Sequence, residues 1–174
     1  MIVPSTRGES TEGRNVMKET PLALLVGEGP QRSLGLKDKL ESFGVSVCAV
    51  SDCAEAALLL HSYTPPHIVF TDMQLPDGSW SGTLSLAESA RLPVCVVVVS
   101  RIADMVSYIQ ALERGAFDYI VPPFEVSEID HIIRCALGNV RLRRQLHRTM
   151  AMEASLMNEE TCGFEDDLEV ASSL

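Results

Sequence analysis

"VVVVSRIADMVSYIQALERGAFDYIVPPF", residues 96–124, decides the fold. Its opening valines are apolar on both faces of a strand, as expected of a strand covered from two sides. Residues 103–114 follow with helical spacing and stop at Gly115, where a helix C-terminus favours glycine. "DYIV" (118–121) is a second short strand, ended by Pro122-Pro123, and another helix starts from about Glu125. Two apolar strands separated by a helix of this length read as parallel strands joined by a crossover.

The alternation extends toward the N-terminus. "LALLV" (22–26) precedes the turn formers Gly27 and Gly29, then a helix over 30–43 in which Leu34, Leu36, Leu40 and Phe43 share a face. "VSVCAV" (45–50) precedes Ser51-Asp52, a good N-cap site for the Ala/Leu-rich helix 53–62. "HIVF" (67–70) precedes a loop and a weaker helix near 81–90, and "PVCVVVV" (93–99) leads into the quoted stretch. Five βα units of this kind make a three-layer α/β domain with a parallel sheet at its centre.

Composition narrows the function classes. A 174-residue chain that is 46% hydrophobic suits one domain with a real core. Its net charge of −10 offers no basic excess to neutralise phosphates, which argues against direct DNA binding. Residues 151–174 hold seven acids and no Lys or Arg, so the acidic excess gathers in a tail. Cys48, Cys53, Cys95, Cys135 and Cys162 are odd in number and form no CxxC pair, the pattern of reduced thiols in a cytoplasmic protein. The polar start is not a signal peptide, and the apolar run Val94–Val99 is far too short to span a bilayer, so no membrane role is expected. Residues 1–20 read as a flexible extension, with Met17 an alternative start, 21–142 as the domain, and 143–174 as an extended helix and acidic tail.

In open parallel sheets, function gathers beyond the carboxyl ends of the strands. The loops there deliver Gly27, Glu28 and Gly29, then Ser51 and Asp52, Thr71 to Met73, Ser100 and Arg101, and Pro122 and Pro123. Glu28 and Asp72 stand out as carboxylates, but whether they meet depends on strand order, which spacing does not give.

"LALLVGEG", "IVFTDMQLPDG" and the stretch 96–124 resemble, in order and spacing, the receiver domain of two-component response regulators, from about Pro21 to Leu142. The resemblance implies a flavodoxin-like (βα)5 sandwich with strand order 2-1-3-4-5, which would place Glu28 beside Asp72. It implies that Asp72 accepts a phosphoryl group from a histidine kinase or phosphotransfer protein. Mg²⁺ would be held by Glu28, Asp72 and the backbone carbonyl of Gln74, Ser100 would hydrogen-bond the phosphoryl oxygen, and Tyr119 would be the switch aromatic. On that reading the protein is a phosphorelay component rather than an enzyme.

The chain departs from the family pattern twice. Gly27 stands where the first of two adjacent acids is usual, which weakens Mg²⁺ binding. Pro122 stands where a lysine reaches back to the phosphoryl group, and at ~4 Å with an effective dielectric of ~20 that ion pair is worth about 4 kcal/mol before desolvation. Arg101 would substitute only if its chain folded inward. Pro122-Pro123 matches a position where receivers often hold a cis peptide.

Plainer readings stand beside each residue: Asp72 capping its own turn, Glu28 as a solvated loop charge, Ser100 as N-cap of helix 103–114, Tyr119 as a packed aromatic. His61, His67, His131 and His147 lack mutual metal spacing. The GEG turn lacks a third glycine for a dinucleotide fingerprint, and no base, nucleophile and phosphate loop assemble into an enzyme site.

The last helix continues past the domain, with Leu142, Leu146 and Met150 at near-helical spacing, Arg141, Arg143, Arg144 and Arg148 around them, and a weak point at Gly138-Asn139. It resembles the linker by which some receivers reach an output domain; the remaining 24 residues are too few for an ATPase or a helix-turn-helix. The alternative is a phosphorylation-independent pseudo-receiver that acts as an interaction or dimerisation module, with the last helix forming a homodimer.

Overall fold

The computed structural model describes residues 20–27 and 30–162. The elements run β1 (Leu22–Val26), α1 (Pro30–Ser42), β2 (Ser46–Val50), α2 (Cys53–Leu60), β3 (Ile68–Asp72), β4 (Gln74–Leu75), β5 (Gly78–Ser79), α3 (Trp80–Glu88), β6 (Cys95–Val99), α4 (Met105–Glu113), β7 (Asp118–Ile120) and α5 (Val126–Cys162). Residues 1–19 of the extension expected over 1–20, with the start at Met17, and Glu28 and the acidic residues past Cys162, lie outside the described residues.

Five strands pair in parallel in the order β2-β1-β3-β6-β7, and β4 and β5 form a separate antiparallel ribbon. Counting only the strands of the main sheet, this is the order 2-1-3-4-5. Strand positions agree with the sequence reading to within two residues; β3 runs two residues past its expected end, to Asp72, and so includes it. The ribbon was not anticipated: it folds the "QLPDGS" segment into a tight turn at Pro76-Asp77 before α3.

Alternate residues of each strand feed opposite cores, as a two-sided sheet requires. Ala23, Leu25, Ile68, Phe70, Cys95 and Val97 pack with Leu36 and Leu40 of α1 and with Ile129, Ile132, Ile133, Ala136 and Val140 of α5. Leu24, Val26, Val69, Val96 and Val98 face the other way, onto Ala56 and Leu60 of α2, Trp80 and Leu84 of α3, and Ala111 of α4. At roughly 1.5–3 kcal/mol for each fully buried large apolar side chain, these two layers are the principal stabilising term.

Helix ends follow local chemistry. Pro30 opens α1 at the one helical position where its missing N–H costs nothing. Asp52 caps α2 by accepting from Glu55 N at 2.8 Å, and Glu55 Oε2 accepts from the N–H of Ser51, just before the cap, at 2.9 Å. Gly44 and Gly115 take positive φ after α1 and α4. The helix α5 does not break at Gly138-Asn139; it continues for 37 residues, or ~55 Å at 1.5 Å per residue. Its middle is fixed by Arg144, a buried side chain whose Nε donates to Pro93 O at 3.0 Å and whose Nη2 donates to Pro65 O at 3.1 Å and Pro66 O at 2.8 Å.

Candidate functional site at the carboxyl edge of the sheet

The strand order reverses between β1 and β3, because β2 lies outside β1 while β6 lies outside β3. A crevice at such a switch point opens beyond the strand ends. Asp72 is the last residue of β3 and half-buried there. It is level with Val99 of β6. On the other side Val26 of β1 pairs with Thr71, so Gly27, whose N–H still bonds Val50 O at 3.0 Å, comes level with Asp72.

That contact is close. A Cβ built at Gly27 would stand 2.6 Å from Asp72 Cγ and 3.2 Å from its Cβ, and nearest of all to Oδ2. The carboxylate occupies the space a side chain at position 27 would need.

Behind Asp72, Thr71 is fully buried and donates to Thr83 Oγ1 of α3 at 3.2 Å, joining strand and helix under the crevice. In front, the ribbon is tied down by Asp77. Its Oδ1 accepts from Cys53 N at 2.9 Å and its Oδ2 from Ala54 N at 3.0 Å, so it caps α2 from a distant loop. The Cys53 N–H first, then that of Ala54, hold the Asp77 carboxyl below the usual carboxylate range. Gln74 is exposed in β4, two places after Asp72, opposite Ser79.

Ser100 and Tyr119 come together at one acceptor. Ser100 is buried directly after β6, and its hydroxyl donates to Ile102 O at 2.9 Å. Tyr119 is also buried, and its hydroxyl donates to the same Ile102 O at 3.2 Å, with its ring edge-on to Tyr108 at 5.9 Å between centroids. The capping of α4 falls to Asp104, which accepts from Val106 N at 3.3 Å and Ser107 N at 3.0 Å, so Ser100 is not the N-cap. The Ser107 hydroxyl, with these amides, lowers the Asp104 pKa.

Pro122 and Pro123 are exposed and joined by a cis bond, and Arg101 is exposed as well. Among the described residues, no three His, Cys, Asp or Glu side chains converge as a metal cage. Three of the four histidines have structural partners: His67 Nδ1 accepts from Leu22 N at 3.2 Å, His61 Nε2 meets Ser89 Oγ at 3.1 Å, and His131 lies on Cys135; His147 is exposed on α5. Among the described residues, no helix is long and apolar enough to cross a membrane.

Two residues were missed from sequence, Asp77 and Arg144. The "PDG" turn was a usable hint for the first, since an aspartate there is free to cap backbone N–H groups. Nothing local marks Arg144, which looks like one more arginine in a basic run.

Comparison with known proteins agrees with this layout. The family model for the response regulator receiver domain matches residues 23–134. The protein named Probable C4-dicarboxylate response regulator DctR of Bacillus subtilis is 31% identical over 107 residues, 61% of this chain and 47% of that protein. The transcriptional regulatory protein KdpE of Mycobacterium tuberculosis is 33% identical over 116 residues, 67% of this chain and 50% of its own length. The chain thus spans half or less of the curated relatives it matches. The receiver domain of the sensor histidine kinase PA1611 from Pseudomonas aeruginosa, solved with a magnesium ion in its active-site cleft, superposes with a TM-score of 0.60 at 21% identity, covering 68% of this chain and 98% of that one.

Proposed function

The chain belongs to the response regulator receiver domain family and has its flavodoxin-like fold, and we propose that it receives a phosphoryl group on Asp72 from a histidine kinase or phosphotransfer protein in the cytoplasm and signals through protein contacts. The observation that carries this is the place of Asp72: a half-buried carboxylate at the end of a central strand, at the switch point, with Thr71 and Thr83 bracing it from behind.

The donor set fits a divalent cation only in part. Asp72 and the Gln74 carbonyl would hold Mg²⁺ together with Glu28, but position 27 contributes no acid. When bound, the cation would neutralise charge as the carboxylate and phosphoryl group approach each other. Asp72 supplies the nucleophile: one carboxylate oxygen forms a bond to phosphorus, the phosphorus–nitrogen bond of the donor histidine breaks, and the imidazole leaves with the bonding pair and takes up a proton. Ser100 would then exchange its present acceptor, the Ile102 carbonyl, for the new phosphoryl oxygen. Its release of Ile102 O would leave Tyr119 as the remaining hydroxyl on that carbonyl, which couples the site to the aromatic beside α4. Pro122 places no cation opposite the phosphoryl group, so the acyl phosphate is held less firmly than a lysine at that position would hold it.

Incubation of the full chain with acetyl phosphate and Mg²⁺, followed by intact mass measurement, tests this. One phosphoryl adduct is expected, and an Asp72→Asn variant should lose it. A chain that takes no adduct yet self-associates instead supports a phosphorylation-independent interaction module. That second reading is favoured by Gly27, by Pro122 and by the exposed stripe of Leu142, Leu146, Met150 and Leu156 on α5, which would pair with a second copy.

A further inference from the structure

We propose that the exposed stripe on α5 pairs with the same stripe of a second copy of this chain in antiparallel orientation, so that the two receivers stand at opposite ends of the paired helices. The inference rests on the dimerising reading of α5 given above, which it deepens by fixing direction and register, and it is independent of phosphoryl transfer to Asp72.

Periodicity sets the stripe. Leu142, Leu146, Thr149, Glu153 and Leu156 follow one another at alternating steps of four and three, the seam of a two-stranded coiled coil, with Met150 and Met152 on its flanks. At about 100° per residue, this seam lies on the far side of the helix from Ile133, Leu137, Val140 and Arg144, which face the domain. The receiver therefore does not obstruct it. Leu142, Leu146 and Leu156 are 58%, 55% and 55% exposed, and every side chain from Gln145 to Leu156 is exposed as well. A lone helix of fewer than ~12–15 residues is marginal in water, and most helical stability in proteins comes from burying an apolar face. The part of α5 past Arg144 has such a face and no cover for it from its own domain.

Charge selects a second copy as the partner and sets its direction. Residues 141–150 hold four arginines and no acid, whereas residues 151–162 hold three acids and no Lys or Arg. The helix is thus its own complement when reversed, since each basic half then meets an acidic half. In a parallel pair, basic would meet basic, and Glu153 would face Glu153 of the second copy inside the seam, a like-charge contact shielded from water. In an antiparallel pair centred on Ala151, Leu146 comes level with Leu156, and Glu153 with Thr149. The Thr149 hydroxyl, which now donates to Gln145 O at 3.1 Å, can turn to donate to that carboxylate.

The test uses the full chain. Sedimentation is expected to show a dimer, and Leu146→Glu a monomer that forms the acetyl phosphate adduct as the unaltered chain does. Direction is read by oxidative crosslinking of Leu146→Cys and Leu156→Cys variants in a background with Cys135→Ser and Cys162→Ser. A mixture of the two is expected to form a disulfide-linked dimer several-fold faster than either alone, because like positions in the antiparallel pair lie 10 residues, or ~15 Å, apart along the axis. Faster crosslinking of each variant with itself overturns the inference, as does an unaltered chain that stays monomeric. A dimer that takes no adduct upholds the pairing and rejects the phosphoacceptor reading, whereas a monomer that takes one overturns the pairing and leaves that reading standing. If the cysteine variants do not dimerise, small-angle scattering of the unaltered dimer decides. Receivers set apart along the axis, their Arg144 anchors ~21 Å from each other in that direction, support the inference, and receivers side by side at one end overturn it.

Discussion

Asp77 shows how one side chain ties function to stability. It belongs to the turn just after Asp72, yet its oxygens accept the first two N–H groups of α2, which would otherwise lack intrahelical partners. Its folded-state pKa is lowered, so its contribution is present above the unfolded value near 3.8 and is lost as pH falls through the folded value. The Asp77→Asn variant is therefore expected to have a lower urea midpoint than the unaltered protein at pH 7, and the gap should close toward pH 3. A gap of constant size would show that the charge at position 77 does not act through these amides. Asp72 was legible in sequence because an acid between an apolar strand and a Pro/Gly turn is locally conspicuous. Its contact with Gly27 was not, since 45 positions separate residues that only strand order brings together. Arg144 was hidden for the same reason: its carbonyl partners lie 51, 78 and 79 positions away.

Among the elements, strands were read most closely because period and burial agree: an apolar run with turn formers after it has few alternatives inside a two-sided sheet. Helix ends were read less well. The start of α4 moved from residue 103 to Met105 because Asp104, rather than Ser100, supplies the cap. Gly138 with Asn139 read as a weak point in the last helix, but Leu137 and Val140 are packed on the sheet and hold the helix together there. A helical glycine costs up to about 1 kcal/mol relative to alanine. A Cβ at Gly138 would meet nothing within 4 Å. Gly138→Ala should thus stabilise the protein by somewhat under 1 kcal/mol in chemical denaturation, and a loss of stability would mean that the glycine serves an unseen contact.

At the scale of the whole molecule, the two cores share every central strand, so neither can be lost alone. Trp80, the single tryptophan, reports on the face packed by α2, α3 and α4. Cys95 reports on the α1/α5 face, where burial pushes its thiol pKa up to about 11 and keeps it unreactive. Urea midpoints from Trp80 fluorescence and from Cys95 alkylation followed by mass spectrometry are expected to coincide. Separate midpoints would mean that the faces unfold independently. Fold class and topology were thus legible in the sequence through the repeated alternation and the family resemblance, whereas the tuning of the site was not, because it depends on contacts across strands. The 37-residue helix has a mechanical corollary. Past its anchor at Arg144 it runs on to Cys162, ~27 Å at 1.5 Å per residue. Acting as a lever pivoted at three proline carbonyls, it would convert each ~10° of rocking at the pivot into roughly 5 Å of sideways travel at its tip, so a sub-ångström rearrangement at the pivot becomes a displacement as large as a helix radius.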